Sequence, residues 1–415
     1  MEQQQGNRWI IAAAGVVMQI ALGAVYAWSV FRNPLMKSFG WSVSQVTWTF
    51  TLAILFLGFA GYFGGLWMAR SGPRIVGMAG GVLYGLGVFL ASFSAHKLWW
   101  LYLSYGIIGG FGIGLGYIVP VATLVKWFPD RRGFITGIAV AGFGAGALIT
   151  APLATRLIIN IGVLKTFAVL GIAYLIVVVG AAALMRNPPE GYVPAGWKPS
   201  AAQTAQRSAR DFTFREALGT WQWYGLWALL FLNVTAGISI ISQAAPMAQE
   251  ITHVSALTAA TLVGIISIAN GAGRFLWAWL SDLIGRKWVF LTMFLLQAVI
   301  FFIMPNVSSF GMFTALAFII LLCYGGGFGT MPAFVADYFG PKNVGQTYGL
   351  MLTAWGFAGM LGPLLIAYIR QNTGSYGKAL YVIAAIMLVS AVIPFIVRPP
   401  AVAPEAMRRD IKRVA

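Results

Sequence analysis

Residues 265–280 read IISIANGAGRFLWAWL, an apolar run that a single charge, Arg274, interrupts. A charged side chain at membrane depth costs about 2.5–3.5 kcal/mol on insertion scales, so such a residue usually faces a cavity and has a function. The alternative is an arginine that backbone carbonyls hold or one that snorkels to the membrane surface. Asn270 lies one turn earlier on the same helical face. Gly271 and Gly273 leave the adjacent surface bare, so that another helix or a small ligand can approach closely.

The composition is that of a membrane protein surrounded by lipid. Hydrophobic residues make up 59% of the 415 residues and charged residues only 9%, whereas about a quarter of a soluble domain is charged. The net charge of +17 does not indicate nucleic-acid binding, because the basic residues lie in short connections between apolar runs and form no stripe. The single cysteine, Cys323, excludes a disulfide framework. The first apolar run is long enough to span a membrane, and we expect it to be retained.

Twelve apolar runs approach or exceed the roughly 20 residues that a membrane-spanning helix needs. They cover residues 9–31, 46–68, 74–94, 98–125, 134–158, 164–185, 222–246, 258–280, 288–305, 309–336, 345–369 and 377–397. The sequence therefore predicts an all-α integral membrane protein with twelve transmembrane helices in two pseudo-symmetric six-helix bundles.

The polar stretch between the sixth and seventh runs divides the chain into three parts. We expect an N-terminal bundle over residues 1–185, a cytoplasmic linker over 186–221, and a C-terminal bundle with a cytoplasmic tail over 222–415. The linker begins with a segment too rich in Pro and Gly to be helical. Thr213 and Glu216 have the spacing of a capping box, which predicts a short helix before the seventh span.

The two predicted bundles resemble each other in sequence. GLWMARSGPR (65–74) corresponds to AWLSDLIGRK (278–287), and GFGAGALITAPL (142–153) corresponds to GFAGMLGPL (356–364). Both pairs are separated by nearly the same number of residues, which indicates a duplicated six-helix unit. Parallel repeats of this kind are typical of secondary transporters, whose substrate site lies near the membrane midplane between the halves.

Lys and Arg residues predict the orientation in the membrane. If the N-terminus is inside, most of the 27 Lys and Arg residues fall on the inner side, and Arg32 is among the few at outer helix ends. We therefore expect both termini to be cytoplasmic. The compact loops and short termini are typical of a bacterial cytoplasmic (inner) membrane protein.

The loop that follows residue 280 resembles a motif of the major facilitator superfamily, G-x-x-x-D-R-x-G-R-K. Ser281, Asp282, Gly285, Arg286 and Lys287 match it. The first copy departs from the motif, because Ala69 stands where that family has Asp. The resemblance covers nearly the whole chain and implies the fold of that superfamily.

Three segments resemble a narrower group, the oxalate/formate antiporters and monocarboxylate transporters. They are YAWSVFRNPL (26–35), KWFPDRRG (126–133) and NGAGR (270–274). The resemblance implies that Arg274 binds the substrate carboxylate, as the corresponding arginine does in that group. The chemistry of the residue agrees, because a guanidinium matches a carboxylate bidentately and a dry site strengthens the pair.

Two departures from that group distinguish its subfamilies. Trp355 stands where the oxalate antiporters have a second buried cation, a lysine, and a dianion with one cation would remain half unpaired in low dielectric. We therefore expect a monocarboxylate rather than oxalate. Asn270 stands where the animal monocarboxylate transporters have an acid implicated in proton coupling, and the first span has no lysine. Asn270 cannot titrate, although it can hydrogen-bond the arginine or a substrate hydroxyl.

The resemblance and the residues together predict the walls of the site. Tyr26, Tyr117, Tyr324 and Phe328 correspond to an aromatic cage, in which a tyrosine offers an apolar face to a short carbon chain and a hydroxyl to its carboxylate. Ordinary packing is the alternative for each of them, since 14% of the chain is aromatic. Further candidates for gating or proton coupling are Asp130, Arg131, Asp282, Asp337 and Tyr348.

The sequence thus favours a secondary transporter that carries a lactate-like monocarboxylate together with a proton by alternating access. We expect it to act as a monomer without a cofactor or metal. Carboxylate exchange without proton movement is an alternative, and efflux of drug-like molecules or a non-transporting receptor are further ones. An enzyme is disfavoured, because the sequence has no metal cluster, nucleophile–base pair or cofactor loop.

Overall fold

The structure, a computed structural model, describes residues 8–128, 132–189, 192, 194, 212–339 and 344–400. Twelve helices in these ranges are long and apolar enough to cross a membrane. We number them α1 to α12 in chain order: Arg8–Ala27, Val43–Met68, Arg70–Phe93, Leu98–Leu124, Ile138–Ile161, Val163–Ala183, Trp221–Thr252, Ala256–Ser281, Arg286–Asn306, Phe310–Phe339, Thr347–Thr373 and Tyr376–Ile396. The prediction of twelve spanning helices is confirmed, and the helices form the two bundles α1–α6 and α7–α12.

The first span differs from the uniform helix that its sequence predicts over residues 9–31. It is α-helical over Arg8–Leu22 and narrows to a 3₁₀-helix over Gly23–Ala27. A separate helix over Ser29–Phe39, which we call the α1 extension, then continues to Gly40. A side chain at Gly23 would collide with the backbone of α5, so the change of winding lies where these two helices touch. A 3₁₀ segment inside a helix often marks a hinge or a sequence under strain.

The boundary between α2 and α3 is a kink inside one long helical segment, Val43–Leu90. Gly72 has φ 78°, a conformation that costs little only for glycine, and Pro73 follows it. Proline is well suited to the first turn of the helix that resumes there. The two spans therefore join without a loop.

The linker is described only in part. Its second half contains a short helix, Phe214–Leu218, before α7. The predicted capping box is present: the Thr213 hydroxyl accepts a hydrogen bond from the Glu216 amide at 3.3 Å, and the Glu216 carboxylate accepts one from the Thr213 amide at 2.7 Å. The helix is thereby fixed at its start.

Glycines bring the two bundles together at two equivalent crossings. Gly144 of α5 packs on Gly271 of α8, and Gly58 of α2 packs on Gly356 of α11. A Cβ atom at Gly144 would lie 2.7 Å from the Gly271 nitrogen, closer than atoms tolerate. If each bundle repeats the other, α2 corresponds to α8 and α5 to α11, so the two crossings are related by the same pseudo-symmetry. The backbones can therefore meet without side chains between them.

A second set of close contacts joins α8 to α10 within the C-terminal bundle. Gly325 and Gly329 face the backbone carbonyls of Asn270 and Arg274, and an added Cβ at either glycine would overlap them. The α8 backbone that carries the buried arginine is therefore held directly against α10.

We expect Gly329→Ala to lower the thermal stability of the purified protein in detergent. The extra methyl group has no room, and overpacking of this kind typically costs about 1–3 kcal/mol. Gly180→Ala is the matched control, since Gly180 lies inside α6 with open space around its Cα. This control should leave the melting temperature unchanged or raise it. Equal melting temperatures for the two variants would contradict the close packing of α8 on α10.

Candidate functional site

Arg274 is buried inside the protein, with an exposed fraction of only 2%. Its Nε donates a long hydrogen bond, 3.4 Å, to Oδ1 of Asn270 one turn earlier, and its guanidinium carbon lies 4.7 Å from the centroid of the Phe328 ring. Neither terminal nitrogen of the guanidinium has a hydrogen-bond partner among the described residues. The predicted proximity of Asn270 and Arg274 on one helical face is thus present in the structure.

The charge of Arg274 has no counter-ion in the described part of the chain. No carboxylate there forms an ion pair with it, and its electrostatic neighbours are the tyrosines Tyr26, Tyr117 and Tyr324. A buried guanidinium that is surrounded by neutral groups has lost its hydration without gaining an anion, which is costly. The site is therefore set up to receive a negative charge.

Aromatic rings from both bundles surround the arginine. Trp355 of α11 contacts Phe328 of α10 with ring centroids 4.9 Å apart, and it contacts Tyr117 of α4 at 5.5 Å. Tyr324 packs on Phe328 at 5.3 Å. The hydroxyls of Tyr26 and Tyr324 lie 2.8 Å apart and join α1 to α10 by a hydrogen bond. None of the seven substrate-binding residues predicted from the sequence is more than 5% exposed, and the structure brings all of them into one cluster.

One member of this cluster, Phe143 of α5, was not predicted from the sequence. Its ring centroid lies 5.3 Å from that of Tyr26, 5.0 Å from Tyr117 and 5.7 Å from Trp355. The repeat offered a signal for it, because aligning GFGAGALITAPL with GFAGMLGPL places Phe143 two residues beyond the equivalent of Trp355. Phe143 fills the centre of the cage where the two bundles meet.

Buried amides fix the helices that carry the cage. Gln19 of α1 donates to the backbone oxygen of Tyr117 at 3.1 Å. Asn233 of α7 donates to the backbone oxygen of Cys323 at 3.2 Å and accepts from Gln297 of α9 at 3.0 Å. The bonds to Tyr117 and Cys323 hold the segments that bear Tyr117 and Tyr324, and the bond from Gln297 fixes the Asn233 amide.

A narrow cavity lies beside Asn270. It is partly open and too narrow to hold a water molecule, and it is lined by Tyr26, Ile241, Val263, Ile266, Ser267, Asn270 and Leu321. These residues come from α1, α7, α8 and α10, so the cavity lies at the interface of the bundles. The cage itself is packed, and a substrate would require the surrounding side chains or helices to move.

Tyr348 and Asp337, two of the residues predicted for gating or proton coupling, lie in different parts of the structure. Tyr348, predicted at a gate, is an electrostatic neighbour of both Tyr117 and Arg274 and so lies near the cage. Asp337 is exposed at the end of α10 and forms an ion pair with Arg286 at 3.2 Å. Asp130 and Arg131 lie outside the described residues, as does the side chain of Asp282.

The structure contains a second buried cation that the sequence analysis assigned to an outer helix end. Arg32 of the α1 extension is 5% exposed. It does not join the cage but donates hydrogen bonds to Gln243 and Tyr376. Its burial is hard to predict from the sequence, because Arg32 directly follows the predicted end of the first span. Among the described residues, Arg274 remains the one cation of the aromatic cage.

The family model described as Major Facilitator Superfamily matches the chain over residues 11–268 and 226–412. An uncharacterized MFS-type transporter of Escherichia coli, YhjX, is 32% identical over 85% of this chain and 86% of its own length. The oxalate:formate antiporter of Oxalobacter formigenes is 29% identical over 95% of this chain and 93% of its own. Monocarboxylate transporter 13 of Rattus norvegicus is 26% identical over 92% and 87%, respectively.

Comparison with solved structures leads to the same fold. The crystal structure of a D-xylose-proton symporter has a TM-score of 0.74 to this protein at 16% sequence identity, covering 93% of this chain and 97% of the symporter. With the family model matching both halves and a relative above 30% identity over most of the chain, this protein belongs to the Major Facilitator Superfamily of transporters.

Proposed function

We propose that this protein transports small, lactate-like monocarboxylates across the bacterial inner membrane by alternating access, with Arg274 binding the carboxylate. The observation that carries the proposal is the buried guanidinium of Arg274, whose two terminal nitrogens have no partner in the described part of the chain. These nitrogens are the pair that can hold the two oxygens of a carboxylate. The oxalate:formate antiporter and monocarboxylate transporter 13, to which the chain is similar, both carry carboxylates by name.

Trp355 supports a monoanion as the substrate. Its ring lies in the cage, and its indole nitrogen is buried without a hydrogen-bond partner among the described residues. An indole N–H can donate to a carboxylate oxygen but brings no charge. One cation and one neutral donor therefore balance a single negative charge, whereas a second carboxylate on the same substrate would remain uncompensated.

The cage is composed of residues from both bundles, which fits alternating access. Tyr26 and Tyr117 belong to the N-terminal bundle, whereas Arg274, Tyr324 and Trp355 belong to the C-terminal one. We propose that residues 1–185 and 222–415 rock against each other about this site, connected by the linker over residues 186–221, with both termini cytoplasmic. Since one chain supplies every residue of the cage, we propose that the monomer is the functional unit.

The cosubstrate is proposed to be a proton, with carboxylate exchange as the second candidate. Exchange is favoured by one specific observation: within the described ranges, the cage has no carboxylate that could carry a proton beside Arg274. Symport would then use a group elsewhere, such as Asp337 near the end of α10, or a proton that enters with the substrate itself as the undissociated acid.

We expect Arg274→Gln to abolish uptake of radiolabelled L-lactate into proteoliposomes, because the carboxylate would enter a low-dielectric site without a counter-charge. Arg274→Lys should retain a small part of the activity, since an ammonium supplies the charge but not the bidentate geometry. Reconstituted amount and melting temperature serve as the control for folding. Full transport by a folded Arg274→Gln protein would disprove the proposed role.

We expect Trp355→Phe to raise the KM for L-lactate about tenfold or more, because a hydrogen bond to a charged group is worth about 1.5–3 kcal/mol. The matched control is Trp28→Phe, the same replacement at a buried tryptophan that packs on Tyr105 and Phe167 instead of the cage. The control should leave the KM unchanged within about twofold. An unchanged KM in Trp355→Phe would remove Trp355 from the set of substrate donors.

Uptake of L-lactate under an imposed pH gradient, with the membrane potential clamped, separates symport from exchange. Accumulation that follows an inward proton gradient and is abolished by a protonophore is the result expected for symport. Uptake that ignores the gradient but is strongly stimulated by unlabelled lactate inside the vesicles would establish exchange instead.

A further inference from the structure

Arg32 is buried where the α1 extension meets the C-terminal bundle. Its Nη1 donates to Oε1 of Gln243 at 2.5 Å and to the hydroxyl of Tyr376. The guanidinium carbon lies 5.9 Å from the centroid of the Tyr376 ring. These contacts join the α1 extension in the N-terminal bundle to α7 and α12 in the C-terminal bundle.

The charge of Arg32 is not compensated by its partners. Gln243 and Tyr376 are neutral, and the Nε of Arg32 is buried without a partner in the described part of the chain. Tyr376 also lies against Arg370, 5.5 Å from its ring centroid, and Arg370 is paired with Glu250 at 2.7 Å. This group of two guanidiniums and one carboxylate therefore retains a positive charge.

Arg32 and its partner Gln243 are close in sequence to residues that line the cavity beside Asn270. It follows Tyr26 by fewer than about two helical turns, and Ile241 stands two residues before Gln243 in α7. Tyr26 and Ile241 both line the cavity that reaches Asn270. Arg32 thus lies close in sequence to residues of this cavity, and both Arg32 and Arg274 are buried without an ion-pair partner among the described residues.

We propose that Arg32 forms an outer carboxylate-binding site, at which the substrate anion binds before it reaches Arg274. This proposal rests on the proposed function for the identity of the anion. The carbonyl oxygen of Gln243 and the hydroxyl of Tyr376 occupy the place of the carboxylate while this side of the protein is closed. When the bundles separate here, an arriving carboxylate replaces them.

The relative strengths of hydrogen bonds favour the replacement of Gln243 and Tyr376 by a carboxylate at Arg32. A carboxylate accepts charge-assisted hydrogen bonds from arginine that are roughly twice as strong as those between neutral groups, and it cancels the buried charge as well. The neutral acceptors also tie the bundles together, since Nε2 of Gln243 donates to Thr47 of α2 at 3.1 Å. Substrate binding at Arg32 would therefore release one set of contacts between the bundles.

The test compares two variants that break the same hydrogen bond from opposite sides, Arg32→Gln and Tyr376→Phe. The measurement is the KM for L-lactate applied to the outer face of right-side-out membrane vesicles. Arg32→Gln should raise the KM about tenfold, with partial recovery in Arg32→Lys. Tyr376→Phe should lower the KM, because it removes an acceptor that competes with the carboxylate while the ring remains against Arg370.

If Arg32 serves only to hold the two bundles together, both variants remove the same hydrogen bond between the bundles. They should then change the KM in the same direction. That result, or an unchanged KM in Arg32→Gln, would overturn the proposal. Arg156→Gln is the control for general surface charge, since Arg156 is exposed in α5, and its KM should match the unsubstituted protein. Failure of the proposed function appears separately, as normal transport by Arg274→Gln or no lactate uptake by the unsubstituted protein.

Discussion

A guanidinium held in the protein interior, with no counter-ion in the part of the chain that the structure describes, is the constraint on which the rest of the structure depends. Arg274 has lost its water and gained one long hydrogen bond to Asn270 and the face of the Phe328 ring. Neither contact cancels the charge, so the burial of this arginine carries an energetic cost that packing elsewhere must offset. The close contact of α8 with α10, made possible by Gly325 and Gly329, keeps the arginine from relaxing toward the membrane surface.

The aromatic cage follows from the same constraint. A charge in low dielectric attracts water and ions, and rings can exclude both while their faces still interact favourably with a cation. Tyr26 and Tyr324 satisfy each other's hydroxyls across the bundle interface, which leaves no unpaired oxygen at that contact in the absence of a ligand. A carboxylate that enters must break this hydrogen bond or approach from the side of Trp355. Ligand binding and the contact between the bundles are thus physically linked.

Sequence reasoning predicted the parts of this structure that depend on local periodicity. Twelve apolar runs predicted the twelve helices, and the i, i+4 spacing placed Asn270 beside Arg274, because both features are properties of a single helix. Phe143 and the burial of Arg32 depend on which helices meet, and a single helix does not contain that information. The break in α1 was missed for the same reason: it occurs where Gly23 touches α5. The resemblance to carboxylate transporters supplied the cage residues, which composition alone could not separate from ordinary packing.

On our proposal, the protein opens one side at a time because it holds two buried guanidiniums, neither of which has an ion-pair partner among the described residues. A carboxylate carries enough charge to neutralise one of them, so an anion that moves to Arg274 leaves Arg32 uncompensated. Gln243 and Tyr376 are then its best remaining acceptors, and their return to Arg32 draws α7 and α12 back onto the α1 extension. On the proposed path, the anion leaves Arg32 when it moves to Arg274. The same departure leaves the Arg32 charge uncompensated, and this closes the side of the protein from which the substrate came.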